Sequence, residues 1–552
     1  MRNTTSSPLT DWVDAPRADA GLRTLADDAW TFHPYTDVAA LVRGTAAALA
    51  DAGVRPGDRV AIGDPDPLGF VTGFFGALHA GATPVPLPPR APRPDEHVGL
   101  LAAILDTARP RVVLAGDGVA DAARRATSVA VLVDPPPALA ERAAAPLPDV
   151  GLLQFTSGST GAPRGVQVTS ANIAAHTTMT RAWLGWRPED AAASWLPLHH
   201  DMGLIGLMIS SLVGQNDLWQ LRPEQFLWQP HRWIECFDGP GGAAITAAPT
   251  FGYGYAARRL KPERLEGLDL SGWTSAVVGA ERLLPAPLHA FAALLAPYGL
   301  AATTLRPAYG LAEGTLAVTG SDRRERPRAI RVDWSALRAS RPLPPTRVED
   351  LDAQAADDPE VLLSCGRVLD GLDVRIVDED GAVVADGVLG EIVVRGATAE
   401  NTYLGDTEGT ATRFEDGALH TGDAGFLLGD ELFVVGRMAD SVKVSGQRVY
   451  AETIEQRIAA EAGVAAHRCV VVPTPRGDGD GLVVLLEDVD PIAVRDAVVR
   501  AARAIAGPTV DVVVHAVPRD TIARTTSGKP RRRTMWQRVA AGDLQAAAGQ
   551  RR

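Results

Sequence analysis

Short β-branched runs alternate with helix-patterned segments along most of this chain, and that alternation limits its fold more than any other feature. "DRVAIGD" (58–64) reads as a strand. "GFVTGFFGALHAGATPVPLPPRAPRP" (69–94) reads as a buried helix, a strand and a proline-rich exit, and strands "RVVLAG" and "VAVLV" follow. Strands separated by helices cannot pair through tight hairpins, so the pattern predicts parallel sheets with helical covers. "TDVAALVRGTAAALADAG" (36–53) carries an N-cap threonine, apolar residues at helical spacing and a closing glycine. The alternation continues from 151 to about 318, broken by loops rich in Gly, Pro and Trp. Residues 323–360 are charged and proline-bearing with weak periodicity, and read as an insertion or long loop. "DVRIVDEDG", "GEIVVRG" and "ELFVVGR" (373–437) form a β-rich unit. A compact tail follows: helix 451–463, strands "CVVVP" and "GLVVLLE", helix 491–506 and strand "VDVVVHAV". The expected fold is α/β: a large N-terminal domain (1–436) of parallel-sheet subdomains plus a β-rich subdomain, and a small α+β C-terminal domain (437–552).

Composition excludes several classes. A net charge of -13 argues against nucleic acid, which demands a dense basic face. Cys236, Cys365 and Cys469 are too few and too dispersed for a disulfide frame or metal site, and read as reduced cytosolic thiols. The N-terminus lacks an apolar signal core, and no apolar run approaches the 18 or so residues of a membrane span. A cytoplasmic protein is expected. Among 54 basic residues only three are lysine: Lys261, Lys443 and Lys529.

The chemistry begins at "LLQFTSGSTGAPRGVQV" (152–168), a glycine- and hydroxyl-rich loop after an apolar run. Backbone N–H groups in such a turn, flanked by hydroxyls, suit phosphate oxygens, and Arg164 adds a forked cation. No G-x-x-x-x-G-K-[ST] can be laid on the stretch, which excludes a P-loop NTPase. Taken alone, the loop reads equally well as a mobile Ser/Gly surface loop.

Further motifs follow in order: "SWLPLHHDMGLIG" (194–206), "VGAERL" (278–283), "PAYGLAEGTLAVT" (307–319), "LHTGDAGFL" (419–427), "VVGRMADSVKVSGQRVY" (434–450) and "RTTSGKPRRR" (524–533). The series resembles the adenylate-forming superfamily of acyl- and aryl-CoA synthetases, luciferases and peptide-synthetase adenylation domains. Within it, "TPVPLPPRAPRP", "WLPLHHDMGLIG", "YGLAEGTLAVTG", "LLSCGRVLDGLDVRIVD" and "GDELFVVGRMADSV" are most similar to fatty acyl-AMP ligases. The 52 residues between Glu313 and Gly366 leave room for the insertion those ligases carry, which hinders the C-terminal domain from turning into its CoA-using pose.

The resemblance implies roles residue by residue. Thr156, Ser157, Gly158, Ser159, Thr160, Gly161 and Arg164 would wrap the β- and γ-phosphates of ATP, with Arg164 standing where the family usually has lysine. Gly279, Ala280 and Glu281 would line the adenine, and Tyr309, followed by Gly310, would stack on it. From spacing alone, Tyr309 reads as core packing. Glu313 would help hold Mg²⁺ on the phosphates, since a hard cation wants carboxylate oxygen. A lone Glu is otherwise a solvated surface residue. Asp423 would bind both ribose hydroxyls, although an Asp after Gly is also an ordinary turn residue. Arg437 would contact ribose or phosphate and begin the hinge, where Ala439 replaces the usual Asp or Lys. His200 would gate the carboxylate pocket, and it also reads as a core or loop histidine. Lys529 would bridge the carboxylate and the α-phosphate; its other reading is a surface lysine in a basic tail.

The implied reaction is ATP-dependent activation of a carboxylic acid, by default fatty, to acyl-AMP with release of pyrophosphate. An acyl carrier protein thiol in trans would then accept the acyl group. Lys443 and Gly446 look more like CoA synthetases, which keeps free CoA open as acceptor. A nucleotide- or acyl-binding protein without catalysis is the rival from another class. Trp195, Trp219, Trp228 and Trp233 cluster around the expected pocket region, as core or as acyl-chain lining.

Overall fold

The computed structural model describes residues 8–91, 93–133, 144–157, 163–338, 341–343, 348–356, 358, 360–405, 412–444, 447–474, 481–524 and 530–544. The first alternating region forms a four-stranded sheet in the order Thr83–Pro86, Arg59–Gly63, Val112–Ala115, Val131–Val133. Every pair is parallel, as the intervening helices Pro67–His79, Pro94–Ala108 and Ala120–Ala126 require. The helix at 36–53 spans Tyr35–Asp51, but Thr36 does not cap it. Pro34 takes the cap position, and buried Tyr35 donates its hydroxyl to the Asn216 carbonyl at 2.5 Å.

The parallel and β-rich regions are one hydrogen-bonded sheet of fourteen strands. Its parallel part runs through Gly21–Ala26, Leu218–Gln220, Ala191–Ser194, Ala243–Ala248, Ser275–Val278 and Leu305–Gly310. On its far side, Leu305–Gly310 pairs antiparallel with Ala317–Gly320, and the sheet stays antiparallel through Arg367–Val368, Glu431–Arg437, Ala418–Leu428, Gly390–Gly396 and Leu372–Val377. The change of direction falls on the strand carrying Tyr309. Gly310 is required there: a Cβ would sit 2.0 Å from the Leu316 carbonyl oxygen, where the hairpin register shifts.

Residues 323–360 are not an irregular loop. Arg328–Arg331 pairs with Glu349–Asp350 and Val361–Leu363 in a small antiparallel sheet, followed in chain order by the helix Trp334–Arg338 after its central strand. The charged composition hides a short amphipathic set: Ile330, Val332, Trp334, Leu337 and Leu362 are buried. They share one core with Phe426, Phe433 and Val435 of the large sheet and with Ile454, Ile458, Val498 and Ile505 of the C-terminal segment.

That segment contains helices Ala451–Ala462 and Pro491–Ala506 and the sheet Cys469–Pro473, Gly481–Glu487, Asp511–Val517. Arg532, at the start of its last helix, is buried and pairs with Glu455 at 2.6 Å, Asp440 at 3.0 Å and Glu452 at 3.3 Å. Burial pushes the Glu455 carboxyl above its ordinary value, and Arg532 offsets part of that. Cys236, Cys365 and Cys469 are free and buried, and burial raises each thiol away from the reactive thiolate. Among the described residues, no helix is long and apolar enough to cross a membrane.

Candidate active site

The glycine- and hydroxyl-rich stretch sits on a hairpin. Val150–Ser157 pairs antiparallel with Pro163–Thr169, and Thr156 lies opposite Arg164. Gly158, Ser159, Thr160 and Gly161 lie outside the described residues. The helix Ser170–Leu184 starts only after the second strand, where the Thr169 hydroxyl accepts from Asn172 N. Loop and helix N-terminus are therefore separated by a whole strand.

A third strand brings a carboxylate to this hairpin. Thr402–Tyr403 pairs with Pro163–Thr169, and the Tyr403 hydroxyl donates to Glu313 Oε1 at 2.5 Å. Glu313 is buried, which removes the solvated-surface reading. Its turn is fixed by Asn401, which donates to the Glu313 carbonyl at 2.9 Å and to Thr315 Oγ1 at 3.1 Å. Thr315 adopts φ 71°, a strained position for a β-branched residue, and its hydroxyl is tied to Thr398 O at 2.7 Å. Burial and Glu313 push the Tyr403 hydroxyl well up, while Arg164 acts the other way, so Arg164, Tyr403 and Glu313 share one electrostatic environment.

A second set of side chains stands where the large sheet changes direction. The Tyr309 hydroxyl donates to Asp423 Oδ2 at 2.7 Å, and Arg437 Nε lies 3.1 Å from Asp423 Oδ1. Asp423 and Arg437 are register partners on adjacent strands, so the pair is built into the sheet. Asp423 is a buried strand residue, not a turn residue. Asp423 holds the Arg437 guanidinium charged, above its ordinary value, with Glu313 adding to the effect. Burial keeps the Tyr309 hydroxyl protonated, and hence a donor.

Gly279, Ala280 and Glu281 leave the end of strand Ser275–Val278. Ala280 takes φ 66°, and Glu281 Oε1 accepts from Phe251 N at 2.7 Å in the first turn of helix Thr250–Arg259. The next residue, Arg282, was missed by the sequence reading although it lies within "VGAERL". It reaches the C-terminal segment through Nη1 to Thr453 Oγ1 at 2.6 Å and lies 5.8 Å from the Trp334 ring of the insertion. Burial lowers its guanidinium to about 10.

His200 stands beside the hairpin. Gln154, two residues before Thr156, donates to the His199 carbonyl at 2.8 Å, and the His199 and His200 rings are 4.4 Å apart. Burial first, then His200 and His97, pushes His199 well below its ordinary value. Asp201 then accepts from Met202 N at 2.8 Å and opens a buried π-helix, Met202–Ile209. Such helices are rare and concentrate at functional sites. The four tryptophans do not form one cluster. Trp195 stacks on Phe226 at 4.0 Å and meets Trp233 edge-on, Trp219 packs on Trp30, and Trp228 is 78% exposed. Lys529 lies outside the described residues; its flanks, Arg524 and Pro530, form a β-bridge.

Residues 14–404 match the AMP-binding enzyme family. The chain belongs to that family. It is 32% identical over 535 residues to the 4-hydroxyphenylalkanoate adenylyltransferase of Mycobacterium marinum, covering 87% of this chain and 82% of that protein. It is also 32% identical to the long-chain-fatty-acid–AMP ligase FadD32 of Mycolicibacterium smegmatis, covering 75% of this chain and 70% of that one. Among solved structures, one from studies of fatty acyl-adenylate ligases of E. coli and L. pneumophila aligns with TM-score 0.84 at 28% identity, over 99% of this chain and 100% of that one. The mixed α/β fold is therefore that of the adenylate-forming enzymes.

Proposed function

We propose that this protein joins a carboxylic acid, by default a fatty acid, to the α-phosphate of ATP and passes the acyl group to a carrier-protein thiol. In the first step a carboxylate oxygen attacks the α-phosphorus, the bond to the bridging oxygen breaks, and pyrophosphate leaves. No proton moves, so no general base is needed and His200 serves placement at the pocket. In the second, a phosphopantetheine thiol attacks the acyl carbonyl, AMP leaves and the thiol proton is lost.

One observation supports this reading most: Tyr309, Asp423 and Arg437 form a connected set at the sheet's change of direction, and Glu313, Tyr403 and Arg164 form another at the hairpin. The first set suits a nucleoside. Tyr309 offers a ring face for adenine, oriented by its bond to Asp423, and Asp423 is an acceptor for ribose hydroxyls with Arg437 alongside. By their chemistry, Thr156, Ser157, Gly158, Ser159, Thr160, Gly161 and Arg164 suit the β- and γ-phosphates, and Gly279, Ala280 and Glu281 the adenine edge. Glu313 fits Mg²⁺: it is a buried carboxylate brought by Tyr403 to the hairpin of Thr156 and Arg164, and a hard cation takes carboxylate oxygen. Bound there, Mg²⁺ would neutralise part of the leaving pyrophosphate's charge.

Lys529 is proposed as the cation that meets both the incoming carboxylate and the α-phosphate, by electrostatic stabilisation and positioning. In a chain that writes arginine almost everywhere, a compact ammonium is retained where a planar fork suits the task less well. We place a hinge near residues 437–440, with residues 437–552 as a mobile domain. The core shared by the insertion and the C-terminal segment supports a carrier-protein acceptor over CoA, because turning that domain would tear apolar contacts apart.

A pyrophosphate-release screen over carboxylic acids, with CoA or holo carrier protein added separately, tests the proposal. Acid-dependent release without CoA, followed by thioester on the carrier, is expected. Absence of release with every acid of a broad panel would favour the non-catalytic reading, and thioester on CoA at the adenylation rate would make the protein an acyl-CoA ligase.

A further inference from the structure

Helix Thr250–Arg259 turns an unusual stripe to solvent. Phe251 is 48% exposed, Tyr255 follows at i+4 with its ring 5.6 Å away, and exposed Arg258 and Arg259 complete the same face at i+7 and i+8. The Tyr255 hydroxyl donates to the Leu227 carbonyl at 2.6 Å, pinning the end of helix Pro223–Trp228 beside this stripe. There Leu227 is 36% and Trp228 78% exposed. Three of the seven large hydrophobic side chains exposed among the described residues thus sit together. A rigid, adjacent apolar group of this kind marks an interaction site more than scattered exposure does.

The charge at its edge narrows the partner. In the C-terminal segment, Arg468 and Arg524 lie 3.7 Å from Asp488 and 3.8 Å from Glu487 and are offset by those carboxylates. Among the described residues Arg258 and Arg259 make no ion pair. The uncompensated charge at the edge of the stripe is therefore Arg258 and Arg259, on a chain whose net charge is -13. A local positive field on an acidic molecule selects an acidic partner and speeds its encounter. The face also adjoins Gly279 to Glu281, proposed at the adenine edge, because Glu281 holds Phe251 N in the helix's first turn.

We propose that this face, Trp228, Leu227, Phe251 and Tyr255 with Arg258 and Arg259, docks the acidic carrier protein that presents the acceptor thiol. The inference rests on the proposed transfer to a carrier protein. Free CoA has no apolar protein surface to cover Trp228, and a second copy of this chain brings its own net charge of -13 against the first.

The test uses the full-length protein with Trp228→Ala, Arg258→Glu and Arg259→Glu, singly and combined. The acceptors are a holo acyl carrier protein and free pantetheine. The combined variant should keep the wild-type melting temperature, form acyl-AMP within about twofold of wild type and acylate pantetheine normally. Its kcat/KM for the carrier should fall about thirtyfold or more, with a weaker dependence on salt. Wild-type transfer that survives all three substitutions would overturn the docking face. Wild-type acyl-AMP formation with no transfer to any carrier would overturn the acceptor reading and the docking with it. A wild-type dimer that the combined variant dissolves would make the face a self-interface and likewise overturn it.

Discussion

The set Tyr309, Asp423 and Arg437, proposed as a nucleotide wall, and the junction between residues 323–363 and the C-terminal segment are held together in different ways. At the wall, polar groups are paired: Asp423 with Arg437 across adjacent strands, and the Tyr309 hydroxyl with Asp423 from a strand farther along the same sheet. At the junction, apolar side chains from three parts of the chain merge into one core, Arg282 bonds Thr453 and Arg457 pairs with Glu360, while Arg532 binds Glu455, Glu452 and Asp440 within the C-terminal segment. Register fixes the Asp423–Arg437 pair within the sheet. The junction depends on how distant segments meet, so on the proposed function it would set where Lys529 is delivered.

The largest effect is expected inside the C-terminal segment. Arg532→Met leaves Glu455, Glu452 and Asp440 without their cation, and removing one partner of a buried cluster typically costs about 3–5 kcal/mol. Denaturant unfolding should show that loss at neutral pH; a change under about 1 kcal/mol would mean the cluster does not hold the segment. At the wall, Asp423→Asn keeps an acceptor for Tyr309 but removes the charge facing Arg437. Calorimetry should show ATP binding weakened roughly 10- to 100-fold, the range for hydrogen bonds to a charged group, with little change in melting temperature. Unaltered affinity would remove Asp423 from the nucleotide site.

Acid should also separate the two regions. Beneath the wall, His176 accepts from Ala317 N at 2.8 Å, and burial lowers it to about 4 from 6.5. Below 6.5 the unfolded chain gains a proton that the folded chain refuses, so this stability is present above 6.5 and lost as pH falls toward 4. The slope is about 1.4 kcal/mol per pH unit. In unfolding measurements across that window, the wild-type curve should be steeper than that of His176→Gln by about that slope, the contribution of buried His199 remaining in both; parallel curves would refute the assignment. The smallest effect is expected at Arg282. A double-mutant cycle of Arg282→Met with Thr453→Ala should give a coupling of about 1 kcal/mol, and zero coupling would mean that this bond does not hold the segment.

The two regions also differed in how far the sequence disclosed them. Strands such as Arg59–Gly63 and Val112–Ala115 were legible because period and turn residues are local. Glu313, Tyr309, Asp423 and Arg437 were legible as motif positions, though nothing local revealed that Tyr309 and Asp423 bond across 114 residues. The small sheet at 323–360 was hidden because Ile330, Trp334 and Leu362 are spaced among charges and find their core only in tertiary contact. Arg282 was hidden for the same reason: its partners Thr453 and Trp334 come from elsewhere in the chain. Trp228 was grouped with the other tryptophans because composition cannot say which ring faces water.

The account's central claim is that a preformed nucleotide wall awaits one ammonium group from the C-terminal segment. Lys529→Ala, measured by fatty-acid-dependent ATP–pyrophosphate exchange with ATP binding followed by calorimetry, tests it directly. Exchange should fall by on the order of 10²–10³ or more while ATP affinity stays near wild type. Exchange at the wild-type rate would contradict the account.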